Sequence, residues 1–288
     1  MQYYPPIRIK GTPVRIIRVF PRRTNATPVD SLAYSGGPDF FAEADEVRIS
    51  VSFSWDLPEA ERLEKQWRFV APVKIGGPAA GERGEDFTPG MFLKKGCVIS
   101  SRGCPNRCWF CSVWRREGEA IRELPITEGW NVLDDNLLAC SQNHIRGVFS
   151  MLEKQKKAPI FSGGLEAARL EKWHVEELRK INPKKMFFAY DTPGDREPLS
   201  QAGKMLLENG FSRKSHCLRC YVLIGFKGDS FQAAEKRLNE AMRAGFIPFA
   251  MLYRDKSGER DKEWVRFAWP WMRPAVISAK YKAAGNSV

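Results

Sequence analysis

The residues most able to do chemistry are three closely spaced cysteines, Cys104, Cys108 and Cys111, in the stretch SSRGCPNRCWFC that begins at Ser100. Thiolates with this C-x3-C-x2-C spacing can ligate three irons of a cubane [4Fe–4S] cluster. The fourth iron would have no protein ligand, which suits a site that binds a substrate or cofactor. A structural zinc site needs four ligands, usually as two separated pairs, so zinc would require Cys97 or another distant cysteine.

The elements that would position this loop form a repeated strand-and-helix pattern, which indicates an α/β fold. Parallel strands joined by crossover helices can form a partial (β/α)6 TIM-like barrel, and an open doubly wound sheet fits the same pattern. The predicted strands are Cys97–Ser101, Asn131–Asp134, Pro159–Ser162, Lys185–Tyr190, Leu218–Gly225 and Ile247–Leu252, and the predicted helices are Asn143–Lys156, Leu170–Ile181, Glu197–Asn209 and Ser230–Ala244.

The first third of the chain predicts a separate, small α/β domain. Alternation over Glu46–Phe53 indicates a strand, Leu57–Phe69 a helix and Val70–Ile75 a second strand, which together make a β-α-β unit. Glycine, proline and charge over 76–90 indicate a linker. The last residues are rich in tryptophan, and we expect them to pack over the barrel mouth or its open edge rather than to form a substrate-stacking surface. The predicted organisation is an N-terminal domain at 1–95, a core barrel at 96–255 and an aromatic-rich extension at 256–288.

The net charge of +12 favours an anionic partner such as a nucleic acid or nucleotide, because phosphate contacts release counterions. The alternative is a solvated basic surface. Basic residues gather near the start of the chain and around the cysteines: Arg15, Arg18, Arg22, Arg23, Lys94, Lys95, Arg102, Arg107, Arg115 and Arg116.

The cysteine count and the apolar pattern restrict the compartment. Seven cysteines, an odd number, indicate reduced thiols and metal binding rather than a disulfide scaffold. No apolar run reaches the length of a membrane span, and Tyr-Tyr-Pro-Pro stands near the start where a secretory signal would be apolar. We therefore expect a cytoplasmic protein that does not enter a membrane.

The cysteine stretch resembles the signature of the radical S-adenosyl-L-methionine (SAM) superfamily, in which an aromatic residue precedes the last cysteine, here Phe110. The sequence Arg-Gly-Cys-Pro-Asn-Arg-Cys most resembles those of the cobalamin-binding-type branch and its relatives, which include tRNA-modifying enzymes. The resemblance covers roughly residues 96–255. It implies that SAM binds the open iron and is cleaved to methionine and a 5′-deoxyadenosyl radical, with electrons from a donor such as flavodoxin or ferredoxin.

The resemblance also implies cofactor contacts at the carboxyl ends of the strands. Asp134-Asp135-Asn136 would lie near the methionine group, with a helix cap or turn as the alternative. Gly163-Gly164 would let the backbone approach SAM, and Glu166 would accept from its amino group or ribose, with a plain turn as the alternative. Asp191 would contact the ribose and Gly225 the adenine. The expected metal ligands are thus Cys104, Cys108 and Cys111, and the expected cofactor-binding residues are Phe110, Asp134, Asp135, Asn136, Gly163, Gly164, Glu166, Asp191 and Gly225.

Two further features qualify this prediction. Cys217 and Cys220 form a second C-x2-C, which could hold an auxiliary cluster but is interpreted as structural, since no close pair completes it. The N-terminal unit resembles a shortened cobalamin-binding-type domain, but it lacks the D-x-H-x-x-G ligand motif, so cobalamin binding is in doubt. The sequence predicts a radical SAM enzyme with an unknown substrate, possibly a nucleic acid or nucleotide. The alternative is a nucleic-acid-binding protein with a structural metal site.

Overall fold

The protein is mixed α/β, with parallel sheets and eight α-helices in the residues that its computed structural model describes, 14–283. It divides into two compact units, Met1–Lys95 and Gly96–Val288. The Tyr-Tyr-Pro-Pro stretch and the last five residues of the predicted extension lie outside the described residues. The longest helices have 13 residues, and none in 14–283 could cross a bilayer, which takes about 20 apolar residues.

The first unit is a four-stranded parallel sheet in the order β2-β1-β3-β4, with one long helix, α1. Its core contains Ile17, Val47, Ile49 and Leu63. The helix ends at Trp67, two residues earlier than predicted, because the buried Trp67 ring donates from Nε1 to the Gly36 carbonyl and the chain then turns. The elements are β1 (Ile16–Val19), β2 (Ala33–Tyr34), β3 (Glu46–Ser50), α1 (Leu57–Trp67) and β4 (Val73–Gly76); the sequence analysis missed β1 and β2.

The second unit contains a six-stranded parallel sheet whose strands follow chain order, β12-β11-β10-β9-β8-β5. A doubly wound sheet needs a reversal of strand order, so that alternative does not apply to this sheet. A short antiparallel pair, β6 with β7, lies beside the cysteine loop in the chain. The strands are β5 (Cys97–Val98), β6 (Ser101–Arg102), β7 (Arg122–Glu123), β8 (Asn131–Val132), β9 (Ile160–Phe161), β10 (Lys185–Ala189), β11 (Leu218–Ile224) and β12 (Ile247–Leu252).

The prediction of one strand over Cys97–Ser101 was wrong. The chain leaves the large sheet after Val98 and pairs again, in the small sheet, only at Ser101. The cause is the buried carboxylate of Asp134, which accepts hydrogen bonds from the Ser100 backbone N–H and hydroxyl, both at 2.6 Å. Those bonds draw this segment towards the end of β8.

Amphipathic helices connect the long strands. In the helix after β8, Ile145, Val148, Phe149 and Leu152 recur at helical spacing and are buried. Its first turn is capped by the Ser141 hydroxyl, which accepts from the His144 N–H at 3.3 Å. The helices are α2 (Val113–Arg116), α3 (Gln142–Glu153), α4 (Lys172–Ile181), α5 (Arg196–Glu208) and α6 (Phe231–Arg243), and the four longer ones begin and end within three residues of the predicted bounds.

The aromatic C-terminal segment forms α7 (Lys262–Ala268), a short 3-10 turn and α8 (Pro274–Ala283). These elements contact β12, the edge strand of the large sheet, and belong to the same compact unit as residues 96–255. Trp271 is fully buried, whereas the Trp269 ring is about half exposed, with the Arg273 guanidinium 3.6 Å from its centroid. This segment covers the open edge of the sheet, which is the packing that its tryptophans predict.

Candidate metal and cofactor site

The cysteine loop follows β6 and carries three free, half-buried thiols, those of Cys104, Cys108 and Cys111. Backbone hydrogen bonds fix its course: the Cys111 N–H donates to the Cys108 carbonyl at 3.1 Å, and the Cys104 N–H donates to the Gly118 carbonyl at 3.2 Å. Across residues 14–283, no three His, Cys, Asp or Glu side chains converge closely enough to hold a single metal ion.

Two successive carboxylates at the end of β8 hold the segment that leads into the loop. Asp134 is buried and accepts from Ser100 and also from the Ser101 hydroxyl at 2.9 Å. Asp135 accepts from the Gly103 N–H at 2.9 Å. Burial raises the pKa of both carboxyl groups, and the hydrogen bonds from the loop oppose that shift. Both side chains therefore serve the loop itself, and Asp134 is not open to a ligand.

Asn136 connects the first cysteine to the end of the next strand. Its Nδ2 donates to the Glu166 carboxylate at 2.6 Å and lies 3.5 Å from the Cys104 sulfur. Arg169 donates from Nε to the same Glu166 oxygen at 2.7 Å. The Asn136 side chain is buried, and its Oδ1 has no hydrogen-bond donor among the described residues. A buried amide oxygen without a donor is costly, so it marks a place where a bound group could donate.

The two glycines after β9 have different roles. A side chain at Gly163 would place its Cβ 2.3 Å from the Asp134 carbonyl oxygen, so this glycine permits the close approach of β8 and β9. Gly164 has a φ of +98°, and the nearest atom to an added Cβ is the Phe187 carbonyl oxygen at 3.9 Å. The space beside Gly164 is therefore open, as a ligand contact requires, whereas Gly163 is explained by packing alone.

Asp191, after β10, is held by the neighbouring strand, because its Oδ1 accepts from the Leu223 N–H at 2.9 Å. Burial, with the nearby charge of Asp195, raises the pKa of Asp191 to about 6. A side chain at Gly225 would meet Leu252 at 2.7 Å and the Trp264 ring at 3.0 Å. The packing of the C-terminal segment thus explains that glycine, and its expected place near adenine stays a prediction.

Two of the loop thiols, those of Cys108 and Cys111, have raised pKa values. Burial raises the pKa of Cys108 to about 11, and the charges of Cys111 and Cys104 add to the shift. Burial likewise raises the pKa of Cys111. Asp191 and Asp195 act on Cys108 in the same direction, which places the loop within electrostatic reach of the end of β10. A metal that binds these thiols would have to displace their protons, because a thiolate is the ligating form.

Aromatic rings surround the second half of the loop. Trp109 contacts Phe110 edge to face, with ring centroids 5.4 Å apart. It also contacts Phe226, after β11, and Tyr253, after β12, each at 5.5 Å. The loop thus comes shortly after β5, one outer strand of the large sheet. Its Trp109 ring contacts residues that follow β11 and β12, towards the other edge.

Two groups near the loop were missed by sequence reasoning. Glu117 is buried and pairs with Arg116 at 2.9 Å and Arg122 at 2.8 Å, directly before the Gly118 carbonyl that anchors Cys104. His144 is buried, with Nε2 3.2 Å from the Ser100 hydroxyl. No sequence signal marks a lone glutamate or histidine of this kind, since each contact depends on the fold.

The remaining cysteines do not extend the metal site. Cys97 is buried in the core, and Asn131 Nδ2 lies 3.8 Å from its sulfur. The Cys217 thiol donates to the Pro183 carbonyl at 3.0 Å, and Cys220 is fully buried within β11. The structural interpretation of this second C-x2-C rests on the burial of both thiols and stays a prediction. Cys140 is half buried.

Many of the arginines predicted to form a basic surface are paired. Arg18 is buried and binds Asp30, and Arg22 makes two hydrogen bonds to Asp56, at 2.9 and 2.7 Å. The cluster near the start is therefore largely neutralised within its own unit. Further pairs are Arg15–Glu43 at 3.7 Å, Arg107–Glu119 at 2.8 Å and Arg116–Glu117 at 2.9 Å.

No family model matches the sequence, and no curated protein matches it. The likeness of the cysteine stretch to the radical SAM signature therefore stays a prediction, and the chemistry of the site rests on its own side chains.

Proposed function

We propose that this protein is a radical SAM enzyme that binds a [4Fe–4S] cluster through Cys104, Cys108 and Cys111. The observation that carries the proposal is the cysteine loop itself. It carries three half-buried thiols, and at the carboxyl end of β8 Asp135 accepts from the Gly103 N–H while Asn136 Nδ2 lies 3.5 Å from the Cys104 sulfur. Ligands at that end of an α/β sheet are the usual arrangement of an active site.

The spacing of the thiols supports a cluster over a single ion. Sulfurs around one tetrahedral zinc lie about 3.8 Å apart, given a Zn–S distance of about 2.3 Å. In a cubane cluster each thiolate binds a different iron, so the sulfurs stand further apart. The loop offers three thiolates in a C-x3-C-x2-C arrangement, whereas a structural zinc site takes four ligands, so we favour the cluster over zinc.

The groups beside the loop suit the amino-acid part of SAM. The buried Asn136 Oδ1 can accept from an ammonium group, and the Glu166 carboxylate lies 2.6 Å from the same amide. The open backbone at Gly164 leaves room for the ligand, and the phenyl ring of Phe110 faces the loop's own aromatic cluster. When bound, the cluster supplies an electron to SAM, whose cleavage gives methionine and a 5′-deoxyadenosyl radical.

We also propose that the six-stranded sheet curls into a partial (β/α)6 barrel. When parallel strands follow chain order and their crossovers are right-handed, all the connecting helices lie on one face of the sheet. A (β/α) barrel has this same arrangement, with its helices outside the strands. A flat sheet would separate its outer strands, β5 and β12, by about 24 Å, at about 4.8 Å per strand. The 5.5 Å contact of Trp109 with Tyr253 is more easily made if the sheet curls.

The proposal includes an anionic substrate, with a nucleic acid or nucleotide ranked first, and a flavodoxin or ferredoxin as electron donor. It does not include cobalamin, because residues 1–95 contain no histidine that could serve as its ligand. A cytoplasmic location remains part of the proposal, since a cluster of this type and free thiols both need a reducing compartment.

Anaerobic reconstitution tests the function. We expect about four irons and four sulfides per chain, and conversion of SAM to 5′-deoxyadenosine once the protein is reduced. Cys108→Ala removes a ligand and should abolish both. Cys220→Ala is the matched control, because that thiol is buried in β11 and should leave the iron content unchanged. One zinc with no sulfide would instead establish the alternative, a nucleic-acid-binding protein with a structural metal site.

A further inference from the structure

A half-exposed tryptophan stands beside the candidate metal ligands. Trp109 keeps 50% of its surface exposed although Phe110, Phe226 and Tyr253 all contact its ring. The plane of the Trp109 indole is inclined by 68° to the Phe226 ring and by 48° to the Tyr253 ring. Neither of these rings is therefore stacked face to face on the indole. A large part of the indole is therefore open to solvent. An apolar ring left open at a site mouth is a candidate contact for a planar ligand.

Hydrogen bonds from the Trp114 and Arg115 side chains hold the backbone that carries this ring. Trp114 donates from Nε1 to the Cys108 carbonyl at 3.0 Å. Arg115 donates to the Cys111 carbonyl at 3.1 Å and reaches the Trp109 carbonyl at 3.5 Å. A ring held in place before binding loses little conformational entropy when a ligand stacks on it.

Positive charge accompanies the ring. The hydrogen bonds of Arg115 go to neutral carbonyls, so they leave its positive charge in place. Lys227 is exposed and follows Phe226 directly. Of the two units, the second carries almost the whole excess charge, with 32 Lys and Arg against 22 Asp and Glu over residues 96–288. The surroundings of Trp109 therefore suit a planar group attached to an anionic backbone.

We propose that Trp109 and Tyr253 form a stacking platform for one unpaired base of a single-stranded nucleic acid, whose phosphates meet Arg115 and Lys227. A base within a duplex is already stacked on both sides, so an open indole selects an unpaired one. The platform deepens the proposed function by naming its substrate class, and the reaction at that base rests on the proposed function. Binding itself requires neither SAM nor a reductant.

Fluorescence anisotropy with labelled oligonucleotides tests the platform on the reconstituted, full-length protein. The probes are single-stranded RNA and DNA of mixed sequence, the matching duplexes, and the same single strand with abasic sites in place of bases. We expect the single strand to bind more tightly than both the duplex and the abasic strand. Trp109→Ala and Tyr253→Ala should each weaken binding about 5-fold to 150-fold, the range found for loss of a base–aromatic stack. Trp109→Phe should restore most of the affinity.

Trp269→Ala is the matched control, because that ring is exposed to a similar extent, 52%, but lies in the C-terminal segment. It should leave the affinity unchanged. Iron content is measured on every variant, and Tyr253 lies outside the cysteine loop, so a damaged loop is distinguished from a lost stack. Equal affinity for the abasic and intact strands, or equal losses for Trp109→Ala and Trp269→Ala, would overturn the platform. Binding of aromatic peptides but of no oligonucleotide would overturn it in favour of a peptide substrate.

Different results would contradict the radical SAM proposal and the stacking-platform proposal. A protein that binds no iron but still prefers unpaired bases through Trp109 would contradict the radical SAM proposal and keep the platform. A protein that cleaves SAM but binds intact and abasic strands equally would keep the enzyme and contradict the platform.

Discussion

Replacing the buried Glu117 by glutamine probes how the cysteine loop is held. The carboxylate is 1% exposed and pairs with two guanidinium groups, those of Arg116 and Arg122, whose side chains are 12% and 28% exposed. Glutamine keeps the shape but removes the charge that both arginines face. The next residue, Gly118, accepts the hydrogen bond from Cys104. The substitution thus acts on stability and on Cys104, the first of the proposed metal ligands, together.

The expected loss of stability follows from the burial of Glu117 and its two arginine partners. Breaking a buried ion pair by removing one partner costs about 3–5 kcal/mol, because the remaining charge stays desolvated. The partial exposure of Arg122 lets water reach that group, so we expect about 3 kcal/mol, the lower end of the range. For a unit of this size, 1 kcal/mol lowers Tm by about 2–4 °C, which gives a fall of about 6–12 °C.

Thermal unfolding followed by near-ultraviolet circular dichroism measures this fall, with iron content after reconstitution as a second readout. The control is Glu208→Gln in the same unit, which breaks an exposed pair with Lys204 at 3.9 Å and should cost under about 0.5 kcal/mol. Equal Tm shifts for the two variants would refute the view that the buried triad stabilises the loop. A full Tm loss with unchanged iron binding would show that Glu117 stabilises the unit without positioning Cys104.

Three further predictions concern the cofactor, the ionic strength and the pH. Asn136→Ala should weaken SAM binding to the reconstituted protein about 5-fold, measured by equilibrium dialysis, since one hydrogen bond contributes about 1 kcal/mol; unchanged binding would remove Asn136 from the site. If four phosphates contact the protein, raising salt from 50 to 200 mM should weaken single-strand binding about 50-fold, from a slope of about −0.7 per contact, whereas a flat titration would exclude phosphate contacts. Burial raises the pKa of Asp191 to about 6, from 3.8, so the folded state holds that proton more tightly than the unfolded chain, and its contribution to stability falls as pH rises from about 4 to 6. Asp191→Asn should therefore have a higher Tm than the wild type above pH 6 and an equal Tm near pH 4; a lower Tm at pH 7 would show that the carboxylate is needed for packing.

Much of the second unit could be predicted because its helices and long strands carry strong periodicity. The bounds of β12 were predicted without error, and those of α3 to within three residues. The segment Cys97–Ser101 was predicted wrongly because its course is set by Asp134, more than 30 residues later in the chain. The strands β1 and β2 are short, at four and two residues, and a run such as Ile16–Val19, interrupted by an arginine, carries little pattern.

At the candidate site too, some features depend on neighbouring residues in the sequence and others on residues far along the chain. The spacing of the cysteines is local, so the sequence alone predicts a metal site at this loop, and that site remains part of the proposed function. The contacts of Asp134 and Gly163 depend on neighbouring strands, so no local pattern predicts them, and their expected contacts with SAM stay predictions. The arginines near the start resembled a free basic surface because their partners, such as Asp56 for Arg22, lie far along the chain.

The dependence of the loop on Asp134 and Asp135 has a consequence for the order of maturation. The loop leaves the ribosome before the residues that hold it, because β8 is synthesised later and must pair with β5 to bring both carboxylates into place. A nascent chain that ends before β8 therefore displays three thiols on an unsupported loop, open to oxidation or to stray metals. Under the proposed function, iron and sulfide would therefore be delivered only after β8 has been synthesised, and a peptide cut from 97–112 would not retain the geometry of the folded loop.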